Sequence, residues 1–229
     1  MEGGAGAQGP HAALAGDWRK QQSPEEDTAM ARNVDTAQVT ELLLQALETE
    51  RGGIKIYTAA IKAAQNADLK KEWGEYLDET RTHEKVLTGV FAELGLDAEA
   101  GSPGRDIVAH QGAALVAAIE MAIANAEPAA AELVAAECVV LAETKDHQNW
   151  ELIGRVADQG GPHAKVLKAA HDAVEQDEDH HLYHTMGWCR ELWIQSLGMP
   201  AVLPPPEEEK KVETAIGAAR AEQARDGYL

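Results

Sequence analysis

Apolar residues recur at helical spacing through the middle of the chain. Leu43, Leu47, Ile54, Tyr57 and Ile61 fall three, four or seven apart, on one side of a 3.6-residue turn, and predict a helix from Thr36 to about Ala64. After a short polar turn at Gln65 and Asn66, a second helical pattern runs from about Asp68 to Leu94. The run LDAEAGSPGRD then breaks the chain, and residues 107–126 form a third, strongly apolar helix. Pro128 stands where a new helix can start, because the first turn needs no N–H from it. The fourth helix reaches about Asp158, QGGPH turns the chain, and a fifth spans His163 to Leu197. The outline is two long helix pairs with one extra helix between them.

Flanking segments read differently. Residues 1–34 are rich in Gly, Ala and Gln and predict a disordered arm; residues 199–229 begin with a Pro-rich linker and continue as a polar, Ala-rich helical tail. The bundle is expected over 35–198.

Composition supports this outline. Hydrophobic residues make up 45% of the 229, enough for one good core, and aromatic residues only 4%, which with abundant Ala favours an all-α packing over a sheet. A formal charge of -19 repels phosphate backbones and anionic lipid, so neither nucleic acid nor membrane is an expected partner. No run approaches eighteen uninterrupted apolar residues. Cys138 and Cys189 form no C-x-x-C pair and read as small buried hydrophobes in a reducing cytoplasm.

The chain also resembles itself. Glu50 to Ala64 can be laid over Glu143 to Ala157, which places Glu50 on Glu143 and Tyr57 on Trp150. HEKVLTGVFAELG, from His83, then matches HLYHTMGWCRELW, from His181, with Gly89 on Gly187 and Glu93 on Glu191. Both halves thus carry a Glu on the first helix and a His on the second.

That repeat has a chemical meaning. A four-helix bundle holding two metal ions needs one carboxylate from each of two helices and a carboxylate plus histidine one turn apart from each of the others. Glu50 and Glu143 fit the single-carboxylate places. In EQDEDHHLYH, residues 175–184, Glu178-x-x-His181 supplies the paired motif at the spacing that lets two side chains share an ion. The competing reading is buried ion pairing, or for residues 75–83 a solvated charged face. His180 and His184 cannot all point inward with His181, and read as surface groups or supports behind the ligands. Tyr57 and Trp150 read as core, and no Met is placed to clasp a haem.

Over residues 37–197 this pattern resembles the ferritin-like superfamily of di-iron carboxylate proteins. ERGGIKIY is similar to the first-helix segment of rubrerythrins, and YLDETRTHEKVLTGVFAELG is similar to the second helix of YciF-type stress proteins. The resemblance implies a ferritin-like four-helix bundle with two iron ions, or manganese, per chain. It further implies oxidoreductase chemistry of the ferroxidase or peroxidase type on Fe(II), O2 or peroxide, in a stress response, by a homodimer. No C-x-x-C rubredoxin module is present. On this reading Glu50, Glu143, Glu178 and His181 carry the chemistry, with Glu79 and His83 completing the ligand set.

One departure stands out. Where the family places Glu three residues before His83, this chain has Thr80; Glu79, four before, is the remaining candidate, and Asp177 is its counterpart before His181. Asp146 and His147, three and four after Glu143, offer substitutes. The departure leaves open an asymmetric site, a single ion, or a helical scaffold whose metal site has been dismantled.

Overall fold

The computed structural model describes residues 34–206. The expected arm, apart from Val34, and the helical part of the tail lie outside the described residues. Five helices follow one another: α1 (Thr36–Ala63), α2 (Ala67–Leu94), α3 (Pro103–Asn125), α4 (Pro128–Asp158) and α5 (Ala164–Ser196). Among the described residues there is no strand, and the fold is all-α as the periodicity predicts.

Local chemistry sets the helix ends. The Asp35 carboxylate accepts from the N–H groups of Ala37 and Gln38, and the Asn66 side chain from those of Asp68 and Leu69, so each helix begins where its free donors find a side-chain acceptor. Gly95 ends α2 in the left-handed conformation, at φ 67°. α3 begins four residues before the predicted 107, because Ser102 caps the Arg105 N–H and Pro103 occupies the first turn. Glu132 of α4 accepts from the N–H groups of Gln65 and Asn66 at 2.7 and 2.6 Å, pinning the α1–α2 turn to the second half of the chain.

Packing closes a ring. α1 lies against α2 and α4, and α5 lies against α4 and α2, so these four helices surround a common interior. The interior is layered. One apolar cluster gathers Ile56, Tyr57, Trp73, Leu77, Val139 and Trp188; the other gathers Leu43, Leu47, Leu87, Phe91, Trp150 and Leu167. Each ring helix contributes to both clusters, and between its two contributions carries a short polar step at 50, 80–83, 143–147 or 178–181. The antiparallel run of the chain brings these steps to one level. A polar layer therefore lies between two apolar plugs, with its inward-facing side chains buried.

α3 stands outside the ring, along α1 and α4. Val108 and Ile119 face inward, Gly52 and Gly112 let the α1 and α3 backbones approach, and Arg105 binds Glu48 and the carbonyls of Ala98 and Ala100. The rest is exposed: only 11% of its most apolar window is buried, and Ile107, Met121 and Ile123 face outward. By length and averaged hydropathy α3 could cross a membrane, which a search for uninterrupted apolar runs does not reveal.

Candidate metal centre

The polar layer gathers six acidic or imidazole side chains from the four ring helices. Glu50 (α1), His83 (α2), Glu143 and Asp146 (α4), and Glu178 and His181 (α5) are all buried. Potential ligand atoms of His83, Glu178 and His181 lie within 4.8 Å of one another, and so do those of Glu50, Asp146 and Glu178. Glu178 belongs to both groups. Its Oε1 is 2.9 Å from His83 Nδ1 and 3.9 Å from His181 Nδ1, while His181 Nδ1 is 3.7 Å from Glu143 Oε2.

Six buried atoms here make no hydrogen bond of good geometry, although His83 Nδ1 stands within ion-pair distance of Glu178: Glu50 Oε2, His83 Nδ1, Glu143 Oε2, Asp146 Oδ1, Glu178 Oε2 and His181 Nδ1. Buried polar atoms are almost always satisfied, and one left bare costs about 1–3 kcal/mol, more where it is charged. One such atom from each of six side chains, all facing one interior, is the pattern expected of ligands without their cation. Oxygen and imidazole nitrogen donors suit iron and manganese, so the residues fit the implied metals.

The outward sides of these groups are held crosswise between the two halves of the chain. Glu79 of α2 lies 2.8 Å from His181 Nε2 on α5, and Asp177 of α5 lies 3.3 Å from His83 Nε2 on α2. Trp150 of α4 donates to Glu50 Oε1 at 2.8 Å, and the Tyr57 hydroxyl of α1 lies near Glu143 without hydrogen-bonding to it. Each half thus orients the other's candidate ligands. A carboxylate on the far ring nitrogen fixes which nitrogen carries the proton and leaves Nδ1 free for an ion.

Electrostatics follow from this crowding. Burial, and then the neighbouring carboxylates Asp146 and Glu178, push the Glu50 carboxyl well above its usual range. Burial followed by Glu178 and Glu143 does the same to Asp146, and burial followed by Glu143 pushes Glu178 up to about 8. For His181, burial acts downward, but the carboxylates of Glu143 and Glu79 overcome it and push the imidazole up to about 10. Burial, and then the charge of His181, lower His83. The carboxylates thus favour a proton on His181, and burial favours protons on the carboxyls of Glu50, Asp146 and Glu178.

The sequence-predicted residues sort clearly. Glu50, His83, Glu143, Asp146, Glu178 and His181 converge. Glu79 is at the rim, its side chain 42% exposed, and touches His181 rather than the interior. His147 is not brought in: its Nε2 lies 2.6 Å from Asp179 and its ring packs on Tyr183, because a residue next to Asp146 points to a different side of α4. Thr80 is buried, bonds the Tyr76 carbonyl and faces Gly53 of α1, whose added Cβ would come within 3.2 Å of it.

A second buried cluster escaped sequence reasoning. His184 Nδ1 lies 2.9 Å from Glu72, which also accepts from Tyr76 and Trp188, and the Tyr76 ring packs on His181 with centroids 4.3 Å apart. The four-residue spacings of Glu72 and Tyr76, and of His184 and Trp188, are the signal that could have revealed it.

Comparison of the chain with protein-family models, with curated proteins and with solved structures gives no match in any of the three. The reading of the centre therefore rests on its own geometry.

Proposed function

We propose that the chain is a ferritin-like protein whose ring of four helices holds a dinuclear iron or manganese centre, and that it acts on Fe(II), O2 or peroxide as a ferroxidase or peroxidase in stress protection. The observation that carries this reading is the set of six buried ligand atoms, on six side chains, that make no hydrogen bond of good geometry. Glu50, His83, Glu143, Asp146, Glu178 and His181 would hold the ions, with Glu178 placed to be shared. Bound iron or manganese supplies the one-electron steps that oxygen and peroxide chemistry requires. The chain's own residues orient and exclude: Trp150 fixes Glu50, Glu79 and Asp177 fix the two imidazoles, and the apolar plugs keep bulk water from the layer.

The reading extends to a homodimer paired through α3. Ile107 to Ile119 carries no Asp, Glu, Lys or Arg in a chain of net charge -19, so this face lets two copies approach with little repulsion.

The test is metal content and turnover together. Protein purified without chelator, or reconstituted anaerobically, is expected to hold two ions per chain and to accelerate Fe(II) oxidation or peroxide consumption; Glu178→Ala is expected to lose both. A folded chain that takes up no iron or manganese would leave the helical scaffold as the better reading.

A further inference from the structure

The outer wall of the ring carries a cavity that the metal centre does not use. It lies between α1, α3 and α4 and holds about 420 Å³, within the size range of small-molecule sites. Its lining changes character along its length. α1 and α4 run antiparallel, with Asn149 donating to Thr49 at 3.0 Å and Ile56 in the same apolar cluster as Ala142. Ile56, Ala142 and Leu115 therefore line one end, and Lys145, one turn along α4 from Ala142, lies towards the other with Glu48 and Thr49.

The charges at the polar end do not cancel. Glu48 is paired with Arg105 of α3 at 3.0 Å. The Lys145 ammonium donates to Asn149 and, among the described residues, forms no ion pair. An ammonium has three N–H donors, so Lys145 keeps donors for a guest. An apolar cavity with one half-buried, ionically unpaired cation at one end is complementary to an amphiphile with one negative charge.

We propose that this cavity binds an aliphatic carboxylic acid of medium chain length, its carboxylate on Lys145 and its hydrocarbon chain running between α1, α3 and α4 towards Ile56 and Leu115. The site is separate from the polar layer and stands whether or not that layer holds ions. From Thr49 to Ile56 α1 rises roughly 10 Å at 1.5 Å per residue, which is the length available to an extended chain. Each methylene group buried there strengthens binding roughly fourfold. A single ammonium balances a carboxylate, whereas a phosphate monoester carries nearly twice that charge and leaves part of it without a partner in a chain of net charge -19. A cationic amphiphile of the same length is repelled by Lys145, and an uncharged one forfeits the ion pair.

The experiment titrates the full chain with decanoate by calorimetry, with decanol and decyltrimethylammonium as the uncharged and cationic comparisons. Decanoate is expected to bind once per chain, about tenfold or more tighter than decanol, as a charge-assisted hydrogen bond allows, and octanoate about tenfold more weakly than decanoate. Lys145→Met keeps the aliphatic stem and is expected to lose that advantage of decanoate while leaving decanol unchanged. Ala114→Phe, at an exposed position of the lining, is expected to weaken both, because its ring fills the mouth of the cavity. Circular dichroism confirms that both variants keep their helices. No saturable decanoate binding by the wild-type chain, decanol binding as tight as decanoate, or undiminished decanoate binding in either variant overturns the proposal. So does decanoate that binds a chain made monomeric by Met121→Glu but not the wild-type dimer, which would give the cavity to a second copy of the chain.

Discussion

Glu79 on α2 and His181 on α5 meet at 2.8 Å, and the same relationship with the halves exchanged joins Asp177 to His83 at 3.3 Å. Both carboxylates stand four residues before a histidine, yet each holds the histidine of the other helix. The side chains of Glu79 and Asp177 are 42% and 45% exposed, so they connect solvent to imidazoles that are themselves almost wholly buried.

Removing such a support should weaken metal binding without unfolding the chain. Glu79→Ala is expected to lower affinity for Fe(II) or Mn(II) on the order of 10- to 100-fold, the usual effect of losing an outer partner of a ligating histidine. Competition against a chelator of known affinity measures it, with circular dichroism confirming the helices. Unchanged affinity in both Glu79→Ala and Asp177→Ala would show that the pairs are incidental.

Trp150 has a different task. Its indole N–H is the hydrogen bond on Glu50 Oε1, inside a layer where Glu50 Oε2 has no partner. Trp150→Phe leaves the carboxylate bare and is expected to destabilise the metal-free chain by about 1–3 kcal/mol, measured by urea unfolding. Saturating Mn(II) should recover part of that loss, because binding to the native state alone adds stability by mass action. Equal losses with and without metal would mean that Trp150 contributes packing only.

The dependence on pH has a definite sign. Glu178 titrates near 8 when folded against an ordinary 4.5, so its contribution to stability is complete below about 4.5 and is lost as pH rises through 8. His181, at about 10 against 6.5, contributes fully below 6.5 and loses that contribution on the way to 10. Glu50 and Asp146 are shifted the same way, and His83, shifted down, acts in the opposite sense near and below 6.5. The metal-free chain should therefore lose thermal stability between pH 5 and 9. The stabilisation by added Mn(II) should grow over that interval, because an ion must displace those protons. Thermal melts in chelator and in Mn(II) across the range decide it, and a metal-free Tm that climbs with pH would contradict the charge crowding described here.

Much of this arrangement was legible before any coordinates. Periodicity and punctuation located all five helices, because their ends are set by local chemistry: Asp35, Asn66, Ser102 and Pro128 act within three residues of themselves. Glu50, Glu143, Glu178 and His181 were legible because the internal match and the three-residue spacing are helical facts. Asp146 and His147 could not be separated, since adjacent residues on a helix differ by about 100° and only the packing of α5 decides which faces inward. The crosswise supports were hidden for the same reason: Glu79 and His181 are 102 residues apart, and no local rule pairs them. The exposure of α3 was equally out of reach, because an apolar helix reads the same whether a core or a partner covers it.

That exposed helix leads to the last prediction. α3 is 23 residues long, roughly 34 Å at 1.5 Å per residue, and a face of that length with the neighbouring exposed Leu141 of α4 is on the order of the 800 Å² per partner that a stable dimer buries. Its outward residues include Ile107, Met121 and Ile123, and its exposed charges are few. Sedimentation velocity should show a dimer for the wild-type chain. Met121→Glu places a buried, unpaired carboxylate at the contact and should give monomers that keep their helicity, because Met121 makes no part of the interior. A wild-type chain that sediments as a monomer, or a Met121→Glu, Ile123→Glu double variant that stays dimeric, would take the pairing away from α3; vesicle flotation of the monomer would instead assign the apolar face to lipid.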